Sequence, residues 1–309
     1  MNRLPLENVS TPFKLVIFDL DGVLVPINSS WQYVHEAFGR DNEESYRRYM
    51  RGEIDFQEFM RSDIVLWEGA TIETVREILD QVPLTEGARE TIQALHERGM
   101  RIAIVSSGIS LLAERVGREL GIDQVYANKL IADRQGHLTG EGEAVVPLLE
   151  KYDVTKRILE EEEVSSQECA TVGDNIFDIP RFGDMGLSII FNPKDEESEK
   201  KADVSITGRD LRLILPWLTS GPPSRIVVRL DTGVREAESV VAALSPDNVK
   251  VPQGLHARVY SEGGSVYVKV VSVRGMGTLL ATVDDILSCS HVAISSIDIT
   301  KSLRRAKTI

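Results

Sequence analysis

Leu15-Val16-Ile17-Phe18-Asp19-Leu20-Asp21-Gly22-Val23-Leu24 is the stretch that decides the fold. Four apolar residues read as a buried strand. Two carboxylates then alternate at its end, and a glycine turns the chain. A buried strand end is a costly place for two acids unless a cation or a reaction holds them there. The stretch therefore points to metal-assisted phosphoryl chemistry, and the rest of the chain tests that expectation.

Outward from it, strands and helices alternate. Residues 14–18 read as a strand, and residues 30–82 then lose all strand character. Ser30, Asp41, Asp55 and Thr71 each precede an amphipathic stretch and read as helix N-caps, so this region is a helical insertion. A helix from Glu86 to Arg98 stops at Gly99, and Arg101 to Val105 is a strand. A helix from Ile109 to Leu120 stops at Gly121. Short strands follow at 124–127, 169–172 and 187–191, with helices at 151–163 and 194–201. Gln135-Gly136 marks a hairpin within Lys129–Gly140. The class is α/β: a Rossmann-like doubly wound parallel sheet with a helical cap insertion. Ligands in such sheets sit at the carboxyl ends of the strands.

The alternation ends near Trp217, and Thr219-Ser220-Gly221-Pro222-Pro223 reads as a linker. Beyond it come a strand (225–231), a helix (234–244), two strands (257–262 and 265–273) joined by Gly263-Gly264, and a helix (277–289). That is a small α+β domain. The expected organisation is a domain over residues 11–218 with its cap at about 27–82, a linker at 219–223, and a second domain over 224–309. Charge follows the same division. The chain of 309 residues carries −13 overall, but residues 224–309 hold 11 Lys and Arg against 8 Asp and Glu. This asymmetry points to separate partners, and the acidic first part argues against generic nucleic-acid binding.

At 42% hydrophobic and 27% charged, the composition is that of a packed globular protein. No apolar run is long enough to span a bilayer, and nothing resembles a signal peptide, so a cytoplasmic location is expected. Cys169 and Cys289 lie far apart, and Cys169 opens an apolar strand as a small core residue. The histidines form no pair at metal-ligand spacing, and Glu160–Glu163 is a solvated helix face.

Four pieces fall at strand ends or helix starts: Asp19-x-Asp21, Ser106 after Val105, Lys151, and Gly173-Asp174-x-x-x-Asp178. Singly, each has a plainer reading as a turn, an N-cap or a surface lysine. Together, in this order, they fit phosphate-ester hydrolysis. A dianionic phosphomonoester repels an attacking carboxylate unless a cation bridges them, and Mg²⁺ takes the oxygen ligands that Asp19, the Asp21 backbone carbonyl and Asp174 offer. Asp19 is the candidate nucleophile, and Asp21 the candidate acid and base. Ser106 and backbone N–H groups are placed to bind phosphoryl oxygens, with Lys151 to neutralise them. Asp178 is expected to orient Lys151 or a metal-bound water.

Asp19-Leu20-Asp21-Gly22, Val105-Ser106-Ser107-Gly108, Lys151 and Gly173-Asp174-Asn175-Ile176-Phe177-Asp178 resemble the four motifs of the haloacid dehalogenase superfamily. Val82–Ala88, Ala127–Leu130 and Leu138–Gly140 are similar to connecting segments of its phosphoserine phosphatase branch. The resemblance implies a cap that closes over the substrate, adds Ser107 to the phosphate-binding residues, and selects Lys151 over Lys156. It also implies a phosphotransferase, since the superfamily's dehalogenases lack the second aspartate. Departures fall at Phe177, where the motif has Asn, and in the cap. Asn28 stands where that branch has the glutamate that binds the substrate amine. Asp63, with Arg61 nearby, stands where it has the arginine for the substrate carboxylate. Asn28, Arg61 and Asp63 are thus the candidates for specificity. Trp31, Tyr33 and Phe38 either line a less polar pocket or pack inside the cap.

Residues 237–248, 254–258 and 277–287 resemble the small dimerising subunit of the KEOPS tRNA-modification complex. That likeness implies a homodimer through this domain and possible partner subunits from such a complex. Three readings follow: a Mg²⁺-dependent phosphomonoesterase of unspecified substrate, a scaffold in a KEOPS-like assembly, and a mutase-like phosphotransferase.

Overall fold

The computed structural model describes residues 12–122, 124–178, 184–244 and 251–306. Within them the chain divides into two compact units, residues 12–218 and 219–306.

The first unit is built on β1 (Leu15–Phe18), whose four residues are all buried. A strand covered on both faces reads as an unbroken apolar run, as this one does. The cap follows as α1 (Ser30–Ala37), α2 (Glu43–Met50), α3 (Phe56–Val65) and α4 (Ile72–Leu79). Next come α5 (Ala88–His96), β2 (Arg101–Ile109), α6 (Ser110–Leu120), β3 (Gln124–Ala132) and β4 (Leu138–Glu143). α7 (Lys151–Glu161), β5 (Cys169–Gly173), β6 (Leu187–Phe191), α8 (Glu196–Lys201), β7 (Val204–Ile206) and α9 (Leu215–Thr219) complete it. The sheet order is β4-β3-β2-β1-β5-β6-β7, parallel except for the β3–β4 hairpin. Register places Phe18 beside Ile104 and Val172, so the carboxyl ends of β1, β2 and β5 are level. Leu15, Ile17, Ala103, Val105 and Cys169 share one face and pack with Val154 and Ile158 of α7.

In the cap, Trp67 is buried, and Trp31 and Phe38 stack against it at ring-centroid distances of 5.6 and 6.3 Å. Asp55 and Thr71 cap their helices as the sequence indicates, each accepting a backbone N–H three residues on. Two other caps shift by one residue. Ser29 rather than Ser30 caps α1, and α2 starts after Asn42, which makes no side-chain cap. β7 escapes sequence reading because it has only three residues.

In the second unit, β8 (Ser224–Asp231), β9 (Leu255–Glu262) and β10 (Ser265–Ser272) form an antiparallel sheet in the order β8-β10-β9. Alternate residues such as Val228, Ala257 and Val268 pack on α10 (Val234–Leu244) and α11 (Met276–Ala306) through Val240, Leu279 and Val283. α11 spans 31 residues and passes the expected end at 289. Three serines around its middle are satisfied within the helix. The hydroxyls of Ser288, Ser290 and Ser296 donate to carbonyls one turn back, at 2.7–2.8 Å. Among the described residues no helix is long and apolar enough to cross a membrane.

Candidate active site

The level strand ends bring together the acids that the sequence scatters. At the end of β1, the Asp19 N–H donates to the Val172 carbonyl at 2.8 Å, which ties the turn to β5. Asp19 Oδ1 lies 2.8 Å from Lys151 Nζ, and Lys151 lies 2.5 Å from Asp178 Oδ1. The other Asp178 oxygen accepts the backbone N–H groups of Asp174 and Asn175 at 3.0 and 3.1 Å. Both Asp178 oxygens are therefore engaged in holding its own loop and Lys151. Asp174 is 1% exposed. Its Oδ1 accepts from Asn175 Nδ2 at 2.8 Å, and its Oδ2 pairs with Lys194 Nζ at 2.7 Å. Carboxylate oxygens of Asp19, Asp174 and Asp178 lie within 4.8 Å of one another.

Gly22 makes this closeness possible. Its φ is +82°, and an added Cβ would sit 1.7 Å from Asp174 Oδ2. Only glycine fits here, on both conformational and steric grounds.

Asp21 is held from the cap. Its Oδ2 accepts the Ser30 N–H at 2.7 Å and the Ser30 hydroxyl at 2.8 Å. The Ser30 hydroxyl in turn accepts the Ile109 N–H at 3.0 Å. Asp21 Oδ1 is buried without a hydrogen-bond donor.

The electrostatics follow from burial. Burial raises the Asp19 carboxyl well above the usual range, Asp178's negative charge adds to this, and Lys151 opposes it. Burial also raises Asp21, against the two hydrogen bonds from Ser30. Asp174 is pushed up to about 6 by burial and by Asp178. Burial alone would lower Lys151, but Asp178 and Asp19 overcome it and raise the ammonium's pKa. These are carboxylates that repel one another in a dry place. An all-oxygen donor set with a buried, undonated Asp21 oxygen fits a hard divalent cation.

Ser106, Ser107 and Gly108 from the end of β2 complete this end of a cavity of about 680 Å³. Asp19, Asp21 and Lys151 line it with them, and Asn28 and Asp63 line its cap side. Arg61 is corrected: it is exposed, pairs with Glu141 at 2.6 Å, and is not on the cavity wall. Of the aromatics, Trp31 lines the cavity, while Phe38 packs inside the cap. Sequence reasoning misses Ser30, Asn175 and Lys194. Lys194 carries a usable signal, since it follows another strand end by three residues. Ser30 reads as a plain cap because Ser29 beside it offers the same chemistry.

The haloacid dehalogenase-like hydrolase family matches residues 13–186, more than half of the chain. The chain belongs to this family and is a phosphatase. It is similar to the phosphoserine phosphatase of Methanocaldococcus jannaschii, 33% identical over 207 residues, covering 66% of this chain and 97% of that protein. It is likewise similar to the phosphoserine phosphatase of Lactococcus lactis, 34% identical over 172 residues, covering 55% of this chain and 78% of that one. A solved structure of a phosphoserine phosphatase, an analogue of its phospho-aspartyl intermediate, superimposes with a TM-score of 0.58. It is 32% identical and covers 67% of this chain and 99% of its own.

Proposed function

We propose that residues 12–218 hydrolyse a small phosphomonoester in two steps, through an aspartyl-phosphate on Asp19. The observation that carries this reading is the end of β1, where a buried Asp19 lies 2.8 Å from Lys151 with Asp21 two residues on. Asp19 forms the bond to phosphorus as the ester bond breaks. Asp21 gives a proton to the departing alkoxide. Water then attacks the phosphoryl group as Asp21 takes its proton, the bond between phosphorus and the Asp19 oxygen breaks, and inorganic phosphate leaves with the Asp19 carboxylate restored. Ser106, Ser107 and Lys151 hold the phosphoryl oxygens, and Asp178 orients Lys151 through the contact at 2.5 Å. Asp19, the Asp21 backbone carbonyl and Asp174 are the residues that would hold Mg²⁺. When bound, the ion offsets repulsion between the entering carboxylate and the phosphate. A cytoplasmic setting goes with this reading, since both cysteines are free thiols.

Asp19→Asn tests the reading on a generic aryl phosphate with Mg²⁺. Turnover is expected to vanish with the melting temperature kept, and full activity in a folded variant would refute the nucleophile. Transfer to a second alcohol instead of water would appear as a phosphorylated acceptor in product analysis.

For residues 224–309 we propose an interaction module that dimerises the chain. Two features support it: a unit with its own apolar core, and α11. At about 1.5 Å per residue, 31 helical residues reach roughly 46 Å, against roughly 27 Å for an eight-residue strand. Resemblance to the KEOPS subunit supports a further reading, docking to tRNA-modification subunits. Capture of such subunits by the full chain, lost on deleting residues 224–309, is the result it requires.

A further inference from the structure

Lys151 is the first residue of α7, and α7 has no side-chain cap of its own. Glu150, at its N-cap, makes no capping hydrogen bond from its side chain. Neither does Pro147, ahead of the short 3₁₀ turn (Leu148–Glu150) that leads into the helix. The first N–H groups of a helical segment have no partner within it and need one from elsewhere. The Glu150 N–H donates to the Pro147 carbonyl at 3.1 Å. The Leu149 N–H donates to the Tyr49 hydroxyl oxygen at 3.2 Å, a partner 100 residues earlier in the chain.

Tyr49 belongs to the cap. It is the one buried residue of α2, at 5% exposed. Its ring lies parallel to that of Phe59 at a centroid distance of 5.1 Å, with 5° between planes, and meets Phe56 edge-on at 5.6 Å. A ring packed on two sides holds the hydroxyl at its tip in one place. Phe56 and Phe59 line the cavity, whereas Tyr49 stands behind them and is not on its wall. From α3, Gln57 reaches the Gly142 carbonyl at 2.9 Å and Arg61 reaches Glu141, so both of these contacts end on β4. Tyr49 reaches the turn before Lys151 instead.

That turn matters because Lys151 is a charge on a long stem. Its ammonium is held at the tip by Asp19 at 2.8 Å and Asp178 at 2.5 Å. A flexible four-carbon side chain transmits no position from its tip to its backbone. The start of α7 therefore needs its own anchor, and the anchor comes from the cap. We infer that Tyr49 is a positioning residue: its hydroxyl fixes the start of α7, and so sets where Lys151 stands, without touching the substrate. A seated cap thereby completes the charge that faces the phosphoryl group.

This inference rests on the phosphatase reading, and the experiment separates the two. Tyr49→Phe keeps the stacked ring and deletes only the hydroxyl. The full chain is assayed with Mg²⁺ on p-nitrophenyl phosphate. For Tyr49→Phe, kcat is expected to fall about three- to tenfold, the worth of one neutral hydrogen bond, with KM nearly unchanged. Hydrogen exchange at the Leu149 amide is expected to quicken by a similar factor. On a Lys151→Ala background the same substitution is expected to cost nothing further, because Tyr49 acts through Lys151. An unchanged kcat in Tyr49→Phe beside an active parent overturns the inference alone. So does an equal loss on both backgrounds, or an unchanged exchange rate at Leu149. If Lys151→Ala is too slow to measure, kcat and exchange in the single variant decide. No turnover of the aryl ester by the unsubstituted chain defeats the phosphatase reading and the inference with it.

Discussion

Ser30 joins two things that the sequence keeps apart. It is the first residue of α1, and it holds one oxygen of Asp21 through both its amide and its hydroxyl. The fit leaves no slack, since a Cβ on Gly108 would fall 2.4 Å from the Ser30 hydroxyl. The acid and base of the proposed reaction is thus aimed by the cap. Ser30→Ala is expected to slow turnover of an alkyl phosphate by roughly 10–100-fold, part of what a positioned acid–base group contributes. KM should move little. An unchanged kcat for Ser30→Ala would remove this role.

Asp174 gives a second expectation at the same scale. Its pKa is pushed up to about 6 by burial and by Asp178, against about 3.9 for an unfolded aspartate. A raised carboxyl favours the fold while protonated. Its contribution is complete below about pH 4 and is lost as pH rises through about 6. In chelator the melting temperature should therefore fall over that interval relative to Asp174→Asn. Mg²⁺ should raise the melting temperature more at pH 7.5 than at pH 5. Equal pH profiles for the two proteins in chelator would refute the assignment.

Elements differ in how far the sequence announces them. β1, β2 and β5 are legible because buried parallel strands read as apolar runs, and their polar residues stand out at the ends. For that reason Asp19, Ser106 and Asp174 are legible in the sequence itself. The caps of α1 and α2 were displaced because adjacent hydroxyl and acid groups give the same local signal. The placement of Arg61 is out of reach of sequence reasoning, because the two residues between it and Asp63 turn a helical side chain by about 200°. α3 thus carries Asp63 on the wall and Arg61 on the surface. The cap also depends on one residue. Trp67 is buried among Trp31, His35 and Phe38. Trp67→Ala should cost about 3–5 kcal/mol, and the loss should be local. Residues 30–82 should become cleavable by protease while the sheet keeps its hydrogen-exchange protection. Uniform loss of protection would argue against a separate cap.

Across the whole molecule, the acidic catalytic unit and the basic second unit each have an apolar core. If residues 224–309 dimerise the chain, light scattering should give twice the monomer mass for the full protein. Residues 1–218 alone should be monomeric and still turn over an aryl phosphate. Val292, 66% exposed on α11, is the place to disturb the dimer, and Val292→Glu should shift the mass toward the monomer. A monomeric full chain would refute the module's proposed role.

Cys169, set in β5 beneath the acids, has a further use. It is fully buried, and burial pushes its thiol up to about 12. A thiolate is the reactive form, so alkylation must wait for the strand to open. Cys289 is only partly buried, on α11 of the second unit. The chain therefore carries one native reporter in each unit. Mass spectrometry of a timed alkylation would give two opening rates from a single unmodified sample. A bound phosphate analogue should slow the label at Cys169 and leave that at Cys289 unchanged.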